Sequence, residues 1–155
     1  MASREFPGFV LDQQLCFALH SASRAMTGCY RPLLDDIGLT YSQYAVMLVL
    51  WELESAPLGL LCDRLQLDTG TLSPLLKRLE VEGLLYRRRR TDDERVVQVT
   101  LSPAGRDLHD RAARVQSRVQ AATGLDATGL VAMRDELTAL AARLRSAQLL
   151  PEGAS

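Results

Sequence analysis

Cysteine, lysine and long apolar runs are all scarce in this sequence. Its three cysteines, an odd number with no CxxC pair, fit neither a disulfide-linked secreted framework nor a zinc cage, so we expect reduced thiols and no metal. The longest apolar runs, such as AVMLVLW at 45–51, are far shorter than the roughly 20 residues that cross a bilayer, and no basic-then-apolar leader opens the chain. We therefore expect a cytoplasmic protein with no membrane partner and no cofactor, long enough at 155 residues for one ordinary core.

The charge is almost balanced overall but uneven along the chain. The formal net charge is −1, yet residues 83–91 contain four consecutive arginines and no acid, whereas residues 1–56 contain three basic and six acidic side chains. Lys77 is the only lysine. Arginine presents a planar fork of donors suited to phosphates and base edges, so a nucleic-acid partner stays open despite the net charge.

The first half of the chain predicts four helices. Apolar or small residues recur in steps of four and three from Leu11 to Leu33, which predicts one helix ending near Asp35, with Asp12 as a candidate cap. Thr40 and Gln43 form a capping box for a helix through Trp51.

After the break at 56–57, a short helix and a second one are joined by a tight turn, which is typical of a helix-turn-helix. Leu60, Leu61 and Leu65 mark the apolar face of the short helix, and Leu72, Leu75, Leu76 and Leu79 mark that of the next, which Asp68 or Thr69 caps and in which Pro74 falls near the first turn.

The second half predicts a hairpin and two more helices. LLYRRRR, TDDE and RVVQVTL read as two strands with a polar tip. Ser102-Pro103 starts a long helix with an apolar face from Leu108 to Ala122, and after Gly124 and Asp126 a last helix carries Leu130 to Leu144 on one side. These faces predict a dimer interface, although an intramolecular bundle stays an alternative.

The predicted architecture is therefore mainly α with a small β-hairpin wing, a winged helix-turn-helix that dimerises through its N- and C-terminal helices. In a single chain of residues 1–155, residues 40–101 form the DNA-binding region, and residues 10–36 and 102–148 form the dimerisation helices.

In such a fold, one helix enters the major groove of DNA and the wing reaches the adjacent minor groove. Short hydroxyls and free amides at the start of the fourth helix favour phosphate, and Arg95 at the hairpin tip, held by Asp93, suits a narrow minor groove. A solvated, self-neutralised hairpin is the alternative reading of RRRRTDDER. The predicted DNA-binding residues are Thr69, Gly70, Thr71, Ser73, Pro74, Lys77, Arg78, Arg87, Arg88, Arg89, Arg90, Asp93 and Arg95.

Two segments carry a family resemblance. LDTGTLSPLLKRLEVEGLLYRRRRTDDERVVQVTLSPAG resembles the recognition helix and wing of the MarR family of bacterial regulators. LDQQLCFALHSASRAM and YRPLLDDIGLTYSQYAVMLVLWE resemble the organic hydroperoxide sensors of that family. The resemblance covers about residues 10–145 and implies an obligate homodimer, a repressor rather than an enzyme, and a pseudo-palindromic operator on double-stranded DNA.

The same resemblance implies a redox role for Cys16, which lies near the start of the first helix, where the positive helix end favours a thiolate. It implies that an organic hydroperoxide oxidises Cys16 to a sulfenic acid, that Tyr30 and Tyr41 hydrogen-bond the sulfur from the partner subunit, and that oxidation releases DNA. Residues 102–155 contain no cysteine, so the chain resembles the one-cysteine type, in which a low-molecular-weight thiol caps the sulfur or further oxidation follows.

Other readings of these residues stay open. Without the resemblance, a cysteine such as Cys16 is most often a small buried hydrophobe, and each of the two tyrosines is equally typical of a half-buried core residue. A repressor released by a small aromatic ligand, a thiol peroxidase using His20 one turn beyond Cys16, and a pure protein-interaction module are the competing functions.

Overall fold

A computed structural model describes residues 9–147 of the chain. The chain divides into two compact units, residues 1–116 and 117–155. The first unit contains a helical core with a small sheet, and the second contains the end of one helix and all of the last.

The first helix, α1, spans Leu15–Asp35 and follows a separate 3₁₀ turn at Leu11–Gln13. The predicted start at Leu11 and the Asp12 cap are therefore wrong. Gln14 has an extended backbone (φ −86°, ψ 122°) and is the N-cap residue, because it interrupts the helical path between the two elements. Cys16 is consequently the second residue of α1.

The helix-turn-helix lies between α2 and the hairpin. α2 spans Tyr41–Leu53, and both hydrogen bonds of its predicted capping box form between Thr40 and Gln43. α3 spans Leu58–Leu65 and α4 spans Thr69–Val81, the latter capped by Asp68.

α4 continues past Pro74, its sixth residue. The missing proline amide removes only the bond to the carbonyl of Gly70, four residues back, near the start of the helix.

The sheet has three antiparallel strands where the sequence predicted two. β2 (Leu85–Arg89) and β3 (Val97–Leu101) form the predicted hairpin, and β1 (Ser55–Pro57) adds to the free edge of β3, giving the order β1-β3-β2. β1 is only three residues long and contains a proline, so it carries no alternating apolar pattern that the sequence could show. With β1, the α3–α4 pair and the hairpin, the predicted winged helix-turn-helix is confirmed.

Three helices follow the hairpin within the described residues. α5 spans Pro103–Asp107 and begins at the predicted Ser102 cap, whose hydroxyl accepts a hydrogen bond from the Gly105 amide. α6 spans His109–Ala122, so the predicted long helix is interrupted at Leu108. α7 spans Ala127–Ser146 and is capped by Asp126, as the predicted break near Gly124 required.

The core of the first unit lies where α2, α3, α4, the sheet and α6 meet. The apolar faces predicted for α3 and α4 supply it, except that Leu60 is exposed and that Leu65 and Leu75 are only partly buried. Alternation along β3 places Val99 and Leu101 inward. The buried side chains include Val46, Met47, Leu50, Leu61, Leu72, Leu76, Leu79, Leu85, Val99, Leu101, Ala112 and Val115.

Gly105 permits α5 to pack directly against the start of β2. A Cβ atom there would lie 2.2 Å from the carbonyl oxygen of Leu84 and 2.7 Å from Cδ1 of Leu101. We expect Gly105→Ala to lower the free energy of unfolding by about 2–3 kcal/mol, because the backbones must separate. Urea unfolding measures the change.

Gly59→Ala is the matched control, since Gly59 is also helical and a Cβ there would meet nothing within 4 Å. It should change stability by less than about 1 kcal/mol, in the stabilising direction. Equal stability of the two variants would show that the close approach at Gly105 does not matter.

Candidate functional site

The N-terminal end of α4 presents short polar side chains to solvent. Thr69, Gly70 and Thr71 are exposed, whereas the Asp68 carboxylate accepts a 2.7 Å hydrogen bond from the Thr71 amide. That bond, chiefly, lowers the pKa of Asp68, so the carboxylate stays ionised at neutral pH. Because Asp68 occupies the amide of Thr71, an incoming anion would meet mainly the threonine hydroxyls.

The outer face of α4 continues this polar surface along the helix. Pro74, Lys77 and Arg78 are exposed and Ser73 is partly exposed, on the side opposite the leucines that α4 contributes to the core. Ser73 and Lys77 are four residues apart, so they lie on one face of the helix. The structure thus brings together all the predicted residues of α4 on one accessible surface.

The hairpin tip contains two local pairs of arginine and aspartate. Arg90 binds Asp92, and Arg95 donates from Nε to Oδ1 of Asp93 at 3.1 Å, as predicted for the Asp93–Arg95 pair. Hydrogen bonds from Arg90 and Arg95 lower the pKa values of Asp92 and Asp93 respectively. The Arg95 side chain nevertheless stays 91% exposed, so its guanidinium projects from the tip while one side of it is held.

The four consecutive arginines of the wing do not share one environment. Arg89 donates to the carbonyl oxygen of Glu94 at 2.8 Å, within the hairpin, and Arg88 is exposed. Arg87 is partly buried and binds Glu80 of α4. Alternation along β2 places Arg88 and Arg87 on opposite faces of the sheet, so they cannot contact the same nucleic-acid backbone in the same way.

Cys16 is exposed in the first turn of α1, where backbone amides have no helical partner. Tyr30 lies 14 residues further along the same helix, about 21 Å away at a rise of 1.5 Å per residue. Fourteen residues are close to four full turns, so the two side chains leave the helix on nearly the same side. Within one subunit the structure therefore does not bring Cys16 and Tyr30 together.

The two predicted tyrosines do meet each other, in a cluster with a third. The ring centroids of Tyr30 and Tyr41 are 5.4 Å apart, and Tyr44 lies 5.3 Å from Tyr30 and 6.2 Å from Tyr41. Burial is the main cause that raises the pKa values of Tyr30 and Tyr44 above the ordinary phenol value. Both phenols therefore remain protonated at neutral pH and can donate hydrogen bonds.

Tyr44 also connects this cluster to the base of the wing. Its ring lies 6.4 Å from that of Trp51, whose indole Nε1 donates to the Gly105 carbonyl at 2.8 Å and whose ring meets His109 edge-on at 5.7 Å. Sequence reasoning missed Tyr44 and Trp51 as parts of the site. Tyr44 follows Tyr41 by three residues, one helical turn, and this spacing was the available signal.

The described residues, 9–147, show neither a metal site nor a membrane-spanning helix. No three histidine, cysteine or acidic side chains of this range cluster as a metal ion would require. No helix within the same range has both the length and the hydropathy to span a membrane.

Comparison with known proteins identifies relatives over most of the chain. Residues 29–112 match the family model of the SarA/Rot transcriptional regulators. The organic hydroperoxide resistance transcriptional regulator of Bacillus subtilis is 42% identical over 115 residues, which cover 74% of this chain and 78% of that protein.

Solved structures give the same result. Reduced AbfR of Staphylococcus epidermidis bound to DNA is 32% identical with a TM-score of 0.74, over 88% of this chain and 95% of that one. BpsR of Bordetella bronchiseptica, whose DNA binding is regulated by 6-hydroxynicotinic acid, is 25% identical with a TM-score of 0.74, over 83% and 98% respectively.

These relatives are regulators of transcription rather than enzymes. Their similarity extends from α1 through the wing to α6, and it includes the recognition helix and hairpin on which the family resemblance was based. The chain belongs to the MarR/SarA family of winged-helix transcriptional regulators.

Proposed function

We propose that this regulator is a homodimeric repressor that binds an operator on double-stranded DNA and releases it when an organic hydroperoxide oxidises Cys16. The observation that carries the proposal is the exposed thiol of Cys16 in the first turn of α1, in a chain 42% identical to an organic hydroperoxide resistance regulator. A thiol in that position is accessible to a peroxide, and the thiolate is the form of cysteine that attacks peroxides.

DNA contact is assigned to the exposed surface of α4 and to the wing. The hydroxyls of Thr69 and Thr71, with Lys77 and Arg78, would meet base edges and phosphates in the major groove. Arg95, held by Asp93 but almost fully exposed, would enter the adjacent minor groove. The related AbfR has been solved bound to DNA, which supports this assignment.

Arg95→Ala should weaken operator binding roughly five- to thirty-fold at moderate salt, since one guanidinium contact is lost. Fluorescence anisotropy with a labelled operator fragment, repeated over a salt series, measures both the affinity and its salt dependence.

Arg134→Ala is the matched control, because Arg134 is likewise exposed and paired with a neighbouring aspartate, Asp135, but lies on α7. Its affinity should stay within about two-fold of the wild type, the scale expected of a surface substitution. If the two variants bind equally well, the wing tip does not contact DNA.

Dimerisation is assigned to the apolar faces of α1 and α7. Leu15 and Met26 on α1 are 61% and 41% exposed, and Met133 and Leu144 on α7 are 51% and 58% exposed. Exposed apolar residues repeated along a helix are typical of an interface. A two-fold dimer would also match a pseudo-palindromic operator, with one recognition helix per half-site.

Leu15→Glu combined with Met26→Glu should give a monomer that has lost most operator affinity, because eleven residues place these side chains on one face of α1. Light scattering after size exclusion gives the mass. Val81→Glu is the control, since Val81 is 80% exposed in the same unit but lies on α4. A double variant that remains dimeric would contradict the assignment.

The proposed chemistry begins with attack of the Cys16 thiolate on the terminal oxygen of the hydroperoxide. An S–O bond forms as the O–O bond breaks, so the sulfur is oxidised to a sulfenic acid while the peroxide, with a proton, leaves as the alcohol. A low-molecular-weight thiol then condenses with the sulfenic acid, which gives a mixed disulfide and water. An adduct of this size at the start of α1 would strain a packed interface.

The tyrosine cluster of one subunit is proposed to bind the Cys16 thiol of the other subunit. Because Cys16 and Tyr30 are about 21 Å apart on nearly one side of α1, antiparallel pairing of two α1 helices around residue 23 would place each thiol opposite Tyr30 of the partner subunit. The protonated phenols would then donate hydrogen bonds to the reduced sulfur, and oxidation would disturb them.

Cys16→Ser should bind the operator like the reduced wild type but stay bound after treatment with cumene hydroperoxide, since serine cannot form a sulfenic acid. Mobility shift with and without peroxide, and mass spectrometry of Cys16 in the same samples, measure release and modification. Cys29→Ser and Cys62→Ser are matched controls and should release DNA as the wild type does. Release by the Cys16 variant would exclude Cys16 as the sensor.

Release by a small aromatic ligand is the second candidate, because the related BpsR responds to 6-hydroxynicotinic acid. The same mobility-shift experiment includes an arm with small aromatic acids in place of peroxide. Release in that arm by both wild type and Cys16→Ser would favour ligand control over redox control.

A further inference from the structure

Glu80 links the recognition helix to the wing through three hydrogen bonds. Its Oε1 accepts from the backbone amide of Arg87 at 2.9 Å, and its Oε2 accepts from Nε and Nη2 of Arg87 at 3.0 and 2.9 Å. Both carboxylate oxygens are therefore used. A bidentate arginine–carboxylate pair is geometrically more restrictive than a single contact, since two parallel bonds fix the relative orientation of the planes.

The position of the pair in the fold determines what it holds. Glu80 is in the last turn of α4, and Arg87 is the middle residue of β2, where it faces Val99 of β3. The chain between them turns at Gly83, which has a φ of +77°. The pair therefore joins residues seven positions apart and fixes the direction in which the hairpin leaves α4.

The other arginines of the run have no such connection. Arg89 and Arg90 bind groups of the hairpin itself, Glu94 and Asp92. Arg87 was predicted as a DNA contact, and in the structure its Nε and Nη2 both donate to Glu80. Its side chain is 29% exposed and that of Glu80 is 34% exposed, so the pair is partly shielded from solvent, and hydrogen bonds from Arg87 keep the pKa of Glu80 below the ordinary range.

We propose that Glu80 and Arg87 form a brace that sets the spacing between the exposed surface of α4 and the wing tip. Glu80 is thus a positioning residue for DNA binding, although it contacts no DNA itself. This inference rests on the proposed function, in which α4 and Arg95 read adjacent grooves. A rigid link lets the second contact form without a further ordering cost, so the two contacts reinforce each other.

A double-mutant cycle between Glu80→Gln and Arg95→Ala tests the brace, because glutamine keeps an acceptor but loses the charge. In the wild type, Arg95→Ala should weaken operator binding at least five-fold. In the Glu80→Gln background, where the orientation of the wing is no longer fixed, the same substitution should weaken operator binding less than two-fold. A side chain that only stabilised the fold would leave the cost of Arg95→Ala unchanged.

Glu82→Gln is the matched control, since Glu82 is an exposed acid two residues further along the chain. The cost of Arg95→Ala should stay at five-fold or more in that background. Arg87→Lys should behave like Glu80→Gln, because a lysine ammonium cannot form the bidentate pair. An equal cost of Arg95→Ala in the Glu80 and Glu82 backgrounds would overturn the brace.

Hydrogen exchange on the free protein gives a readout that needs no DNA. Glu80→Gln should speed amide exchange across residues 86–97, by ten-fold or more at Arg87, while exchange in α2 stays unchanged. Unchanged exchange across the wing would overturn the brace even if DNA binding fell. A wild-type protein that binds no operator would instead overturn the proposed function, and the exchange result would still decide whether the link holds the wing.

Discussion

The contact between Gly105 and the carbonyl of Leu84 is the constraint on which the arrangement of this fold depends. A side chain at residue 105 would overlap that carbonyl, so the start of α5 can meet the start of β2 only through glycine. Trp51 fixes the same point from α2 by donating to the Gly105 carbonyl. Ser102 adds two more bonds, since its hydroxyl accepts from the Gly105 amide and donates to the Gly83 carbonyl. Helix α2, helix α5 and the wing are therefore joined at one residue.

This junction gives the proposed switch a physical route. The rings of Tyr30, Tyr44 and Trp51 are in contact in sequence, with centroid distances of 5.3 and 6.4 Å. In a close-packed interior, a displaced ring must be accommodated by its neighbours. In the proposed switch, a change at Tyr30 caused by oxidation at the partner's thiol would reach the Trp51–Gly105 bond. Gly105, in α5, packs against the carbonyl of Leu84, which immediately precedes β2 of the wing. The tyrosines thus have a packing connection to the winged helix-turn-helix, in addition to the hydrogen-bonding role proposed for them.

The sequence predicted those features whose causes lie within a few residues of one another. The Thr40–Gln43 capping box, the Ser102 cap and the Asp93–Arg95 pair each involve partners two or three residues apart, and all three form. Features that depend on distant partners could not be predicted: β1 exists because β3 has a free edge, and Glu80 meets Arg87 because a glycine turn folds β2 back beside α4. The predicted start of α1 was wrong for a related reason, since the apolar periodicity does not show that the backbone at Gln14 is extended. For the candidate site, local patterns predicted the polar residues of α4 and the Asp93–Arg95 pair, but not the contact of Tyr44 with Tyr30 or the bond from Trp51 to Gly105.

The scarcity of lysine has a practical consequence. Lys77 is the only lysine of the chain and is exposed on the outer face of α4, so the recognition surface carries the sole ε-amino group. Among the side chains, an amine-reactive dye or crosslinker would therefore label this helix without any engineered residue. The sequence therefore already contains an attachment point for a spectroscopic label on the surface that is proposed to contact the operator.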